Sequence, residues 1–150
     1  MNLLSEQPYL GMSFRISAND RDLGVFSECS GLAVDIGSED YKEGGRNHFV
    51  HKLPTHVNTT PVVLKRGLSA TTALWDWIKS FVEESIVRPS EVTVELRGPG
   101  LIGRLGPVRK TWILDHAYPL KWEGPRLDAM KGEVAFETVE LAHRGVWSPS

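Results

Sequence analysis

Apolar and polar positions alternate along most of this chain, and only one stretch takes up a helical period. Residues 13–17 place Phe14 and Ile16 on one face, which is the period-2 signature of a strand. The polar run Asn19-Asp20-Arg21-Asp22 then predicts a turn. Further strands are expected at residues 25–29 and 34–42. Glu43-Gly44-Gly45-Arg46-Asn47 supplies the positive-φ residues of a hairpin, and residues 48–53 return from it. Residues 54–61 read as a loop, and Val62-Val63-Leu64 as a strand covered on both faces. Residues 91–97 alternate cleanly, with Val92, Val94 and Leu96 inward and Thr93 and Glu95 outward. A Gly/Pro-rich loop at 98–107 and strands at 110–118 and 133–143 complete the pattern, with turn signals at 123–125 and 131–132. Residues 1–11 read as a flexible arm.

The helical stretch is residues 71–84. Leu74, Trp77, Ile78, Phe81 and Ser85 form one stripe, which Trp75 and Val82 widen, while Asp76, Lys79, Glu83 and Glu84 lie on the other side. Ser69 is a good N-cap, and the helix must stop before Pro89. Such a helix is roughly 21 Å long, enough to plug one end of a barrel or cover a sheet. β-rich order with one central helix predicts a mainly β fold, a barrel or sandwich with one flanking helix, in a single domain over residues 1–150. Two strands carry apolar residues on both faces. One holds Trp112, Leu114 and Tyr118 against Ile113 and Ala117. The other holds Val134 and Phe136 against Ala135, Val139 and Leu141. Their cover is either the helix and loops of the protomer or a neighbouring subunit.

Composition narrows the function classes. The chain has 150 residues, 41% of them hydrophobic and 24% charged, with a formal net charge of -2. Holding many phosphates needs a surplus of Lys and Arg, which is absent, so tight nucleic-acid binding is not expected. The lone Cys29 forms no internal disulfide and fits a reducing compartment. Residues 1–11 have no basic region or apolar run of a leader, and no stretch reaches the ~18 apolar residues of a membrane span. Folding in the cytoplasm is expected, with no membrane anchor.

The candidate chemistry is thin. Gly98-Pro99-Gly100-Leu101-Ile102-Gly103 matches a dinucleotide fingerprint in letters, but a strand follows where a helix should open. Arg97, Arg104, Arg109 and Lys110 make this loop basic; it is either solvated or a contact for an acidic patch on a partner. His48 and His51 are three apart on a strand and point to opposite faces, so with His56 they do not form a zinc set; His116 and His143 read as structural. Cys29 has no activating base, no Gly-x-Ser-x-Gly elbow occurs, and Asp20 and Asp22 suit turn chemistry. No catalytic residues, cofactor or metal are expected. The Trp residues suit core and interface roles.

Several phrases together resemble one family. They are FSECSGL (26–32), YKEGG (41–45), KLP (52–54), VVLKRG (62–67), ALWDWI (73–78), YPLKWEGPRLDA (118–129) and GEVAFETVELAHRG (132–145). In this order they are similar to the inner tail tube proteins of contractile phage tails and contractile injection systems. The resemblance implies a tail-tube-like β-barrel that forms hexameric rings, stacked around a lumen inside a contractile sheath. It implies, as partners, copies of itself, sheath and baseplate proteins, and payload or DNA in the lumen. It places the protein in a virion tail or a released injection particle. By resemblance, Tyr41, Glu43, Gly44, Gly45, Lys52, Leu53 and Pro54 are inter-ring contact candidates. Trp112, Leu114, Phe136, Val139 and Leu141 are inter-subunit strand candidates, and Asp76, Lys79 and Glu83 mark a sheath-facing helix. Two other readings remain open: a tube-initiating or baseplate adaptor of the same fold, and a monomeric ligand-binding β module with exposed Trp contacts.

Overall fold

The computed structural model describes residues 11–41, 51–69, 71–84, 87–101, 104–125, 130 and 135–149, without the side chains of residues 41 and 51–56. The expected arm at 1–11 lies outside these residues except for Gly11. Ten strands and one helix follow in order: β1 Ser13–Ala18, β2 Arg21–Phe26, β3 Glu28–Ser30, β4 Val34–Tyr41, β5 His51–Thr59, β6 Val62–Gly67, α1 Ala73–Glu83, β7 Ser90–Arg97, β8 Val108–Glu123, β9 Phe136–Ala142 and β10 Gly145–Trp147.

The main sheet runs β2-β1-β7-β8-β9-β6-β3, with β10 on β8, and every pairing is antiparallel. Its first and last strands are consecutive in the chain. Phe26 ends β2 opposite Phe14 of β1, and Glu28 opens β3 opposite Lys65 of β6. Ser27 joins them, donating its N–H to the Lys65 carbonyl oxygen at 2.9 Å. One bent segment therefore bridges the two margins and closes the sheet into a barrel. Closure removes the exposed edges that invite pairing with other chains.

β8 provides the opposite corner. Its first part pairs with β7 and β10, and residues from Tyr118 onward pair with β9. Between them His116 takes φ +49°. That left-handed residue resets the in-out alternation, so Leu114 and Ala117, three apart, are both fully buried. The pattern that looks two-sided in sequence is thus one face on each side of a bend. β9 keeps strict alternation, with Glu137, Val139 and Leu141 inward. For both strands the protomer covers the inward face, while Leu120, Trp122 and Phe136 stay exposed.

The core gathers Ile16, Leu23, Phe26, Val62, Leu64, Val92, Val94, Leu114, Val139 and Leu141 from the strands, with Leu74, Trp77 and Ile78 from α1. α1 is shorter than expected: Thr72, not Ser69, is its N-cap, and it makes no side-chain cap bond. The β4–β5 ribbon enters β6 at its start, and α1 connects the end of β6 to the start of β7. The approach to α1, at Gly67, Ser69 and Thr71, shares a cleft with Met12 and Ser13 at the start of β1. β5 runs through residues 54–59, which the sequence reads as loop, because the ribbon's register carries past Pro54 with a bulge.

One buried ion pair sits in the core wall. Arg66 and Glu137 face each other across β6 and β9 and are 4% and 7% exposed. The Arg66 Nε–H donates to Glu137 at 2.5 Å, and Nη1–H donates to the Leu23 carbonyl at 3.0 Å. Trp122 Nε1–H donates to the other carboxylate oxygen at 3.2 Å. Gly24, at φ +110°, has room for no side chain, since a Cβ there would stand 2.4 Å from Arg66 Nη1. Arg66 thereby bridges β2 and β6 where no backbone ladder joins them.

Candidate functional site

The surface features that differ from an ordinary barrel exterior are a ribbon, a groove and a basic loop. The ribbon is the separate two-stranded sheet of β4 and β5. Ile36 registers with Val57, and Val34 with Thr59, so Val34, Ile36 and Val57 share one face. They are 51%, 61% and 58% exposed. A two-stranded ribbon is marginal in water by itself, and an uncovered apolar face on it marks a contact surface. β4 also carries Asp35, Glu39 and Asp40 with no basic residue.

The groove lies between α1 and the second part of β8, with a volume of about 430 Å³. Trp75, Val82, Val87, Leu120 and Trp122 line it and are all substantially exposed. Trp75 and Trp122 meet edge to face at 4.9 Å between ring centroids. Lys121, which pairs with Glu123 at 3.5 Å, is the cationic residue among its described lining. Trp75 and Val82 thus do not widen the buried stripe of the helix; they face outward across the barrel surface.

The basic loop folds back tightly: Gly98 N–H donates to the Pro107 carbonyl at 2.9 Å, and a Cβ on Gly106 would collide with Gly98 and Pro99. Strand β8 follows it, not a helix, and Arg97 is taken up by Glu95 at 2.8 Å. Arg104, Arg109 and Lys110 are exposed.

The expected site residues fall as follows. Tyr41 ends β4 opposite His51, and Lys52, Leu53 and Pro54 register with Asp40, Glu39 and Ser38, all in the ribbon's outer half. Glu43, Gly44 and Gly45 lie outside the described residues, as does His48. Among the strand candidates, Leu114, Val139 and Leu141 are fully buried in the protomer's core, so their side chains face no neighbour. Trp112 packs partly against the same core. Phe136 is 42% exposed with Lys65 Nζ 4.7 Å above its ring. On α1, Asp76, Lys79 and Glu83 are exposed; Lys79 pairs with Glu83 at 3.5 Å, and Asp76 accepts from Thr72 at 3.2 Å. His143 is buried, with Nε2 2.9 Å from the Thr60 carbonyl oxygen, a structural tie at the ribbon's root. The reading from sequence missed Val34, Ile36 and Val57. Their alternation with Asp35 is visible, but the register that brings Val57 opposite Ile36 is not.

Comparison with known proteins agrees with this geometry. The fold is similar to a chain of an extracellular contractile injection system, the PVC sheath-tube complex in its extended state. TM-score is 0.76 and identity 25%, over 97% of this chain and 93% of that one. It is also similar to a chain of the anti-feeding prophage baseplate, with TM-score 0.72 and 24% identity over 95% of each. Hcp1 from Flavobacterium johnsoniae shares the fold at TM-score 0.55 and 14% identity, over 91% of this chain and 94% of that one. No curated protein sequence matches significantly. Residues 11–147 match the family described as the T4-like virus tail tube protein gp19, and the chain belongs to that tail tube family.

Proposed function

We propose that this protein is the structural subunit of the inner tube of a contractile injection particle or phage tail, assembling into hexameric rings that stack around a lumen. The observation that carries the reading is the β4–β5 ribbon, an extension with an uncovered apolar face that no part of its own barrel covers among the described residues. Family membership and the likeness to a chain of a sheath-tube complex support it. In this reading the exposed Asp76, Lys79 and Glu83 of α1 face a surrounding sheath, the outer ribbon reaches the adjacent ring, and payload or DNA passes down the lumen. The particle assembles in the cytoplasm and acts after release. A second reading, a tube initiator at a baseplate, is favoured by the likeness to the baseplate chain.

Negative-stain microscopy of the purified full chain tests both. Stacked rings are the expected result, and rings that stop at one or two layers favour the initiator. A strictly monomeric protein at millimolar concentration overturns the assembly reading.

A further inference from the structure

We propose that His143 is a positioning residue for the ribbon: its reciprocal bonds with Thr59 and Thr60 fix the direction in which β4 and β5 leave the barrel. The proposal rests on the tube reading for the use of the ribbon, and adds to it the device that aims it.

The ribbon has little else to hold its angle. Among the described residues, β4 and β5 pair with each other and with no strand of the main sheet, and they give no side chain to the core cluster. Two short links join them to the barrel, Gly31–Ala33 between β3 and β4 and Thr60–Pro61 between β5 and β6. The links lie against each other. Thr60 Oγ1–H donates to the Gly31 carbonyl at 3.1 Å, and Gly31, at φ +86°, has no room for a Cβ beside the Pro61 carbonyl. Strands joined to a body only at such a point swing about it as a unit.

His143 reaches this joint from the barrel side. It follows β9, and β8 holds the backbone around it: Ala142 registers with Tyr118, Arg144 N–H donates to the Asp115 carbonyl at 2.8 Å, and Gly145 registers with Asp115. From that fixed position two bonds cross to the end of the ribbon in opposite senses. Thr59 Oγ1–H donates to the His143 carbonyl at 2.9 Å, and His143 Nε2 stands 2.9 Å from the Thr60 carbonyl oxygen. A carbonyl oxygen has no proton to give, so Nε2 carries the hydrogen. Nδ1 is buried and meets no partner among the described residues, so the ring makes one hydrogen bond, the one to the ribbon's link. The side chain is 7% exposed, and a bond shielded from water is the stronger for it. One bond would leave a swivel. Two bonds of opposite sense, on consecutive residues, fix a direction. A ribbon already held at its working angle loses less freedom on meeting a neighbour, and so binds more tightly.

Spin labels at Glu39→Cys in the ribbon and Glu91→Cys in the barrel wall read the angle within one protomer, by pulsed electron resonance with excess unlabelled protein. Native Cys29 stays in place, since burial leaves its thiol poorly reactive. One narrow distance distribution is expected for the otherwise wild-type chain. His143→Phe keeps a ring and drops the donor, and is expected to widen the distribution about twofold by loosening the root. His143→Gln carries an amide N–H to the place of Nε2 and is expected to keep it narrow. His143→Asn reaches only the place of Nδ1 and is expected to widen it as His143→Phe does. Thr59→Val leaves the histidine untouched and is expected to widen it too. Thermal melting checks that each variant is folded. A folded His143→Phe or Thr59→Val protein with a distribution as narrow as the wild type's overturns the proposal, as does a broad distribution in the wild type. So does widening in His143→Gln equal to that in His143→Phe, because packing and not the bond then sets the angle. In assembly, His143→Phe is expected to raise the concentration needed for stacking about 10-fold, and His143→Gln to leave it unchanged. A wild type that forms no ring or stack overturns the tube reading, while the distances still decide the role of His143.

Discussion

Arg66 ties β2 to β6 at the closure of the barrel. Its guanidinium has Glu137 and the Leu23 carbonyl as partners, and it stacks over Phe26 at 4.7 Å. A buried pair of this kind gives little net stability over an apolar pair, but losing one member leaves an uncompensated charge. Arg66→Met is therefore expected to cost about 3–5 kcal/mol in urea unfolding, and Arg66→Met with Glu137→Leu to regain most of it. A single-variant loss below about 1 kcal/mol would count against the staple. The pair is present in sequence as Lys-Arg-Gly and Phe-Glu-Thr, yet nothing local shows that residues 71 positions apart face each other. Glu137 by pattern looks like an outward position that spoils an apolar face, and only the partner explains it. Cys29 gives a second test at this scale. Burial pushes its thiol pKa from 9.0 to about 11. The neutral form is the one the fold favours, so its contribution to stability is complete below pH 9 and is lost as pH rises from about 9 toward 11. At pH 8 the thiolate fraction is about 100-fold below that of an unperturbed cysteine, and alkylation of the folded protein should slow accordingly. Modification at the rate of a free thiol would contradict this.

Among the elements, the helix and the ribbon divide the labour. α1 is legible from its period alone, and Leu74, Trp77 and Ile78 are buried as that period requires. Its ends are less legible, because Ser69 and Thr71 bond to each other through their hydroxyls instead of capping the first turn. Strands with one buried face, such as Ser90–Arg97, are equally clear. The long β8 is not, since the left-handed His116 swaps its faces and hides one strand as two half-patterns. The ribbon contributes no described residue to the core cluster. Replacing residues 35–58 by a short Gly-Ser linker should therefore leave a folded barrel whose melting temperature stays within a few degrees of the wild type, about 3 °C at most, while assembly is lost. A large fall in melting temperature would show that the ribbon holds the protomer together; retained assembly would show that it is not the contact.

For the whole molecule, the mainly β fold and its flanking helix were readable from the periods along the chain, and the tail tube family from the ordered phrases. The surface that meets a neighbour was readable only in part. Sequence reasoning directed the inter-subunit role to Leu114, Val139 and Leu141, because apolar residues on a strand look alike whether they fill a core or face another chain. Burial separates them: those three are inside, while Val34, Ile36 and Val57 are out. The ribbon enters β6 at its start and the helix follows its end, so the protomer is asymmetric along that strand and the two faces of any layer built from these chains in one orientation are chemically unlike. A stack of such layers has a direction. Its two tips present different surfaces, add subunits at different rates, and need two different molecules to stop them.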